Sequence, residues 1–316
     1  MKYVVFGGGG FIGSAICDLL LREGHSLRIF ERAGVTAYRI FGNFEKVEWI
    51  NGDILNTQDV NSAIKNMDGV IHLVSTTLPK SSNENPIYDV QTNIVASLNI
   101  LNAMRQFNVN RIVFISSGGT VYGNPIHLPI PESHQTEPNI SYGITKLTIE
   151  KYLLMYEKLY GIKSIILRVA NPYGERQKIE TAQGAVGIFL TKTHQGLPIE
   201  IWGDGSVERD YIHVSDVANA FSCALRYSGK FSVFNIGCGL GVSLNSLLDT
   251  IEKVTLQKTQ RIYKDARAID VPVNYLDNQL ARKELGWFPK LDLEEGLRLT
   301  SDWIYSEINK TKSNNK

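Results

Sequence analysis

The sequence predicts an α/β fold in which a doubly wound parallel sheet is followed by a smaller C-terminal substrate-binding lobe. Short apolar runs alternate with helical patterns through the first half of the chain, the signature of βαβ units. Two of those runs, Val113-Phe114-Ile115 and Ile165-Ile166-Leu167, are apolar on both faces, as central strands of a covered parallel sheet must be. A glycine-rich turn, Gly7-Gly8-Gly9-Gly10-Phe11-Ile12-Gly13, joins the first strand to the first helix, and this makes the predicted sheet Rossmann-type.

Taken in order, strands are expected at 2–7, 27–31, 47–50, 69–74, 111–117 and 163–170, with helices at 11–22, 58–66, 89–107 and 144–160 between them. After Arg168 the rhythm changes: turn signals such as Asn171-Pro172-Tyr173-Gly174 and Gly203-Asp204-Gly205-Ser206 separate shorter elements. A helix at 215–227, a strand at 231–236 and helices at 243–254 and 293–309 complete the pattern. Residues 1–170 therefore read as a dinucleotide-binding domain and 171–310 mainly as a second lobe, with 203–228 returning in part to the first. Residues 311–316 are polar and read as a flexible tail.

Composition narrows the function classes. Hydrophobic residues make up 43% and charged residues 21% of the chain, the balance of a folded protein and not of a disordered one. The 33 Lys and Arg against 32 Asp and Glu leave a formal charge of +1, with no basic block to track a phosphate backbone, so nucleic acid is not an expected partner. No window approaches the roughly 18–20 apolar residues of a membrane span, and the chain enters a strand without a signal-like segment. The three cysteines, Cys17, Cys223 and Cys238, form neither a C-x-x-C pair nor an even set, so no metal site is expected and the compartment is read as reducing. The expected location is the cytoplasm.

The glycine turn carries the first chemical signal. A turn there must take positive φ and bring backbone close to a pyrophosphate, whose charge then rests on the helix N-terminus. Gly7, Gly10 and Gly13, with the backbone of Phe11 and Ile12, are the expected cofactor contacts. Glu31 ends the second strand about twenty residues on, placed to accept from a ribose diol and to repel the extra phosphate of NADP, which favours NAD. Arg32 follows and is able to pair with that phosphate. Asp53, in Asn51-Gly52-Asp53-Ile54, suits either a contact with the adenine amino group or a plain turn.

The second signal is Tyr142 and Lys146 in Ser141-Tyr142-Gly143-Ile144-Thr145-Lys146, four residues apart and so on one helix face. A phenol is a poor base at neutral pH, and a nearby ammonium together with a positive nicotinamide ring favours the phenolate. Such a pair is common by chance, but here it follows a dinucleotide turn and a central strand that ends in Ser116-Ser117.

On these residues the chain resembles the extended short-chain dehydrogenase/reductase family, the NAD-dependent nucleotide-sugar epimerases and dehydratases, with the 4-epimerase branch the best match. The resemblance runs through the glycine turn, Asp53-Ile54, Ser116 to Gly123, Tyr142-x-x-x-Lys146, Leu167-Arg168 to Gly174, Arg209-Asp210-Tyr211-Ile212-His213-Val214, Arg267-x-x-Asp270, Asp277 and Leu285-Gly286-Trp287-x-Pro289. It implies that Tyr142 is the acid/base, that Lys146 positions the nicotinamide ribose, and that Ile54, Leu73, Val74 and Asn93 border the cofactor. It further implies that Asn171, Arg209 and Arg267 hold the nucleotide diphosphate of a nucleotide-sugar substrate. Two arginines at a diphosphate suit a chain with almost no net charge, because affinity must come from local pairing. The implied activity is epimerisation at carbon 4, with reduction of a nucleotide-linked 4-keto-sugar and a non-catalytic NAD-sensing module as alternatives.

The chain departs from the family where Gly118 replaces a Ser or Thr. The missing hydroxyl is expected from Ser117, with Thr120 the alternative, and Gly118→Ser is expected to do little harm. Gly119 and Thr120 stand where dehydratases carry an Asp-Glu pair, which argues against dehydration. Asn274 aligns with the side chain that closes the sugar pocket beside carbon 2, where a short residue leaves room for an N-acetyl group. The other readings are that it caps the turn before Tyr275, or that Tyr275 itself takes the place. The helices at 89–107 and 144–160 carry surplus apolar residues (Leu98, Leu101, Leu153, Leu154, Met155, Leu159), and in the family this pair forms the four-helix interface of a homodimer.

Overall fold

The computed structural model describes residues 1–42, 46–79, 81–177, 184–266 and 271–314. Along the first half run β1 (Lys2–Phe6), α1 (Phe11–Arg22), β2 (Ser26–Glu31), β3 (Val47–Asn51), α2 (Thr57–Ile64), β4 (Gly69–His72), α3 (Pro86–Asp89), α4 (Ala96–Gln106), β5 (Arg111–Ser117), α5 (Ser141–Tyr160) and β6 (Lys163–Val169). The second half contributes β7 (Asn171–Tyr173), α6 (Ala185–Gln195), β8 (Ile199–Trp202), β9 (Glu208–Arg209), β10 (Tyr211–His213), α7 (Val214–Arg226) and β11 (Val233–Ile236). It ends with β12 (Val242–Ser243), α8 (Leu244–Thr255), β13 (Arg261–Lys264), β14 (Val273–Asn274) and α9 (Leu293–Asn314).

Seven strands form one sheet in the order β11-β6-β5-β4-β1-β2-β3, every pair parallel. The order reverses between β1 and β4, and the crevice beyond their C-terminal ends is where such sheets bind ligands. β5 and β6 lie buried in the interior of the sheet, as their doubly apolar runs require. One face packs against α1 and α7, with Ile16, Leu20, Val217 and Phe221 in its core; the other packs against α2, α4 and α5, with Val60, Ile100, Met104 and Leu153 in its core. A third core, with Phe189, Leu190, Leu248 and Leu297, belongs to the second lobe. The chain returns to the first lobe through Ile236, because β11 extends the main sheet beside β6.

Three expectations need correction. The helix anticipated at 89–107 is α3 and α4 joined by a π-helical stretch, Val90–Val95. There Thr92 Oγ1 donates to the Tyr88 carbonyl, Asn93 Nδ2 to that of Asp89 and Ser97 Oγ to that of Asn93, so side chains compete with the backbone ladder. α5 starts at Ser141 instead of residue 144, because Asn83 Oδ1 and Ser82 Oγ, from a distant segment, accept the Ser141 and Tyr142 N–H groups. The expected tail at 311–316 is helical through Asn314, continuing a surface on which Lys310 pairs with Glu307 one turn back.

Candidate active site

The glycine turn is built for close approach. Gly7 has φ +89°, and a Cβ on Gly13 would lie 2.1 Å from the Gly7 carbonyl oxygen, so only glycine closes the turn. Leu73 and Val74, just past β4, pack against Gly7 at the van der Waals distance a Cβ would have. The N-cap of α1 is Gly10, with no side-chain cap and no acidic residue in the first turn, so Phe11, Ile12 and Gly13 open a bare helix N-terminus suited to an anion.

Glu31 is buried beside this turn and accepts from the Gly9 N–H at 2.8 Å. Burial raises its pKa, opposed by the Gly9 bond and by Arg32. Arg32 itself is exposed. Asp53 Oδ1 accepts from the Leu55 N–H, an Asx-type turn, while Ile54 is buried behind it. The bare helix end, the glycine cradle and the buried Glu31 carboxylate beside them together fit a dinucleotide such as NAD. Among the described residues no cluster of His, Cys, Asp or Glu fits a metal ion.

Tyr142 and Lys146 meet where β4 and β5 end. Lys146 is buried, and its Nζ donates to the Ile115 carbonyl at 3.1 Å, lies 4.9 Å from the Phe114 ring centroid and 5.5 Å from that of Tyr142. Burial pushes the Tyr142 phenol up to about 12, with Asp89 adding to the rise and a hydrogen bond from Ser75 opposing it. Burial brings Lys146 down to about 8, against Asp89 and Glu150. Burial disfavours the phenolate in the protein by itself, and a positive nicotinamide ring beside the phenol would favour it.

Ser117 ends β5 and is half-buried, while Thr120 Oγ1 is buried without a hydrogen-bond partner among the described residues. A Cβ on Gly118 would lie 2.4 Å from Leu276 Cδ1 and 3.1 Å from the Arg168 carbonyl, so Gly118→Ser is not the harmless change expected: Leu276, itself fully buried, fills the space. Asn93 is buried beside the loop that follows β4. Its amide accepts from the Thr76 N–H and donates to Thr77 and Asp89, so it shapes the loop after β4.

The second lobe supplies a cavity of about 520 Å³ lined by Asn171, Arg209, Tyr211, Phe189, Trp202 and Lys192 among others. Its apolar walls suit a planar base and its two cations an attached phosphate. Asn171 Nδ2 donates to the Asp210 carbonyl. The Asp210 carboxylate is buried and accepts three backbone N–H groups, from Cys238, Gly239 and Leu276; burial still pushes its pKa up to about 6. In β14 Asn274 pairs in register with Arg209. It is buried, its Nδ2 donates to the Gly118 carbonyl at 3.4 Å, and its Oδ1 has no partner among the described residues. This places it against the Gly118 turn and not as a cap on the chain before Tyr275. Arg267 and Asp270 lie outside the described residues.

Sequence reasoning missed Ser75, Ser82, Asn83 and Asp89 around Tyr142, and Phe189, Trp202 and Lys192 in the cavity. The four-residue spacing of Asp89 and Asn93 was the one available pointer to the first group.

A model of the NAD dependent epimerase/dehydratase family matches residues 3–237. The chain is 38% identical over 303 residues to a Methanocaldococcus jannaschii protein provisionally named UDP-glucose 4-epimerase, covering 95% of this chain and 97% of that one. It is 34% identical over 300 residues to the Escherichia coli dTDP-4-dehydro-6-deoxyglucose reductase, covering 93% and 94%. The structure of the Thermotoga maritima UDP-glucose 4-epimerase with UDP-glucose superposes with a TM-score of 0.92 at 32% identity, covering 98% of this chain and all of that one. With the dinucleotide turn and the Tyr142–Lys146 pair in place, the chain belongs to the NAD-dependent epimerase/dehydratase family.

Proposed function

We propose that the chain epimerises carbon 4 of a UDP-linked hexose or N-acetylhexosamine, using NAD held on the glycine turn. The observation that carries the reading is Tyr142 and Lys146 on one helix face at the mouth of a crevice that already has a dinucleotide turn and a base-sized cavity. NAD, when bound, would supply the hydride acceptor and the positive charge of its oxidised nicotinamide ring beside Tyr142 and Lys146. Tyr142 takes the proton of the 4-hydroxyl and returns it, Ser117 donates to the same oxygen, and Arg209 with Arg267 holds the diphosphate. Anchoring at the nucleotide leaves the sugar free to turn over in the pocket. The Thr120 hydroxyl, without a hydrogen-bond partner among the described residues, favours a second reading in which it, and not Ser117, takes that position.

Release of the cofactor tests the reaction type: bound NAD with interconversion of UDP-glucose and UDP-galactose supports epimerisation, whereas an empty protein that needs added NADPH and a 4-keto-sugar supports reduction. For the sugar, Asn274→Tyr is expected to lower kcat/KM for UDP-N-acetylglucosamine by about tenfold or more, as when a pocket loses room for a group, with little change for UDP-glucose. Equal losses on both sugars would remove Asn274 from the pocket wall.

Cytoplasmic operation as a homodimer completes the proposal; among the described residues no helix is long and apolar enough to cross a membrane. Leu101 and Leu153 leave the expected interface, since both are buried in the protein's own core. Of the expected set Met155 and Leu159 remain exposed; Ile144, not among the residues expected, extends their stripe on the same face of α5, and Val95 is exposed near the start of α4. Light scattering at micromolar concentration is expected to give a dimer, and Leu159→Glu a monomer; a wild-type monomer would refute the interface.

A further inference from the structure

We infer that Asp89 is a positioning residue for the acid/base pair: its buried carboxylate clamps the first turns of α5 to the loop at 75–77 and fixes the charge balance around Tyr142 and Lys146. The inference rests on the acid/base reading above.

Asp89 closes α3 and is fully buried. Oδ1 accepts from the Thr77 hydroxyl and from Asn93 Nδ2 at 2.9 Å; Oδ2 accepts from Ser141 Oγ at 2.7 Å and Thr145 Oγ1 at 2.8 Å. Ser141 and Thr145 each stand one residue before a member of the pair, so one carboxylate holds both turns. All four donors are neutral, and the N-terminal end of α5 adds its positive dipole.

The other charged neighbours are accounted for. Glu150 lies one turn beyond Lys146 but is gripped by Arg168 through Nε and Nη2. His72 is kept neutral by burial and by Lys146, its pKa brought to about 3. Ser75 faces Tyr142 as a neutral hydroxyl. Among the described residues Asp89 is thus the anion whose charge reaches both members of the pair without a guanidinium upon it, and it favours the protonated form of each.

Asp89→Asn keeps the shape and removes the charge. Losing an anion lowers both pKa values, so both limbs of the pH profile of kcat are expected to move to lower pH. On the alkaline side of the wild-type optimum kcat should fall about tenfold, with KM for the nucleotide sugar unchanged. A merely structural clamp predicts a lower bell at an unmoved optimum, and that result would overturn the assignment.

NMR titration of ε-13C-lysine, with the signal assigned through Lys146→Met, reads the same effect without turnover. Lys146 should titrate near 8 in the wild type and at lower pH in Asp89→Asn; an unmoved titration overturns the charge role. Ser141→Ala loosens the clamp and keeps the charge, so it must lower kcat without moving the bell, and a moved bell counts against the proposal. A Tyr142→Phe protein with full turnover would instead sink the acid/base reading, leaving the lysine titration to decide Asp89.

Discussion

Tyr142→Phe is expected to keep the fold and lose turnover by a factor of about 10²–10⁴, the range for a positioned proton-transfer group. The substitution removes one oxygen atom, hydrogen-bonded with Ser75, while the helix around it stays fixed by Ser82, Asn83 and Asp89. Circular dichroism and the thermal midpoint should match the wild type, and bound NAD should be retained because the glycine turn is untouched. Near-full activity in this variant would require another group to carry the proton. In the same series Ser117→Ala should cost more turnover than Thr120→Ala, and the reverse ranking would transfer the hydroxyl role to Thr120.

Glu150→Ala is the change expected to cost the fold most. Glu150 and Arg168 are both buried, with Nη2 and Oε2 2.6 Å apart; Ser116 donates to the same carboxylate, and Arg168 Nη1 donates to the Tyr122 hydroxyl, which donates to Asn235. These contacts tie α5 to β5, β6 and β11, the strands beneath the catalytic helix. Removing one partner strands a buried cation and should destabilise the protein by about 3–5 kcal/mol, read as a lower urea midpoint. Replacing both, as Glu150→Met with Arg168→Leu, should recover much of that loss, since two apolar groups leave no charge behind. If the double variant is no more stable than the single, the isolated charge is not the cause.

What was legible in the sequence is what short-range patterns encode. The strand–turn–helix at Gly7–Gly13 declares itself because glycine is the residue that fits, and Tyr142 with Lys146 because helical spacing is regular. The doubly apolar runs placed β5 and β6 inside the sheet for the same reason. Asp89 was illegible because its partners Thr77, Ser141 and Thr145 are up to 56 residues away and each is an ordinary polar residue. Gly118 misled for a related cause: a glycine reads as room to spare until Leu276, 158 positions on, is seen to occupy it.

The first turn of α5 borrows its caps from Ser82 and Asn83, so the start of the catalytic helix is written in two places along the chain. Its amide protons at Ser141 and Tyr142 are shielded from exchange only while that upstream stretch is docked, which makes them internal reporters of whether the crevice is assembled. Transplanting residues 141–160 alone into another scaffold would carry the tyrosine and lysine but leave the opening turn to fray; the smallest portable unit of this chemistry has to include residues 82–89.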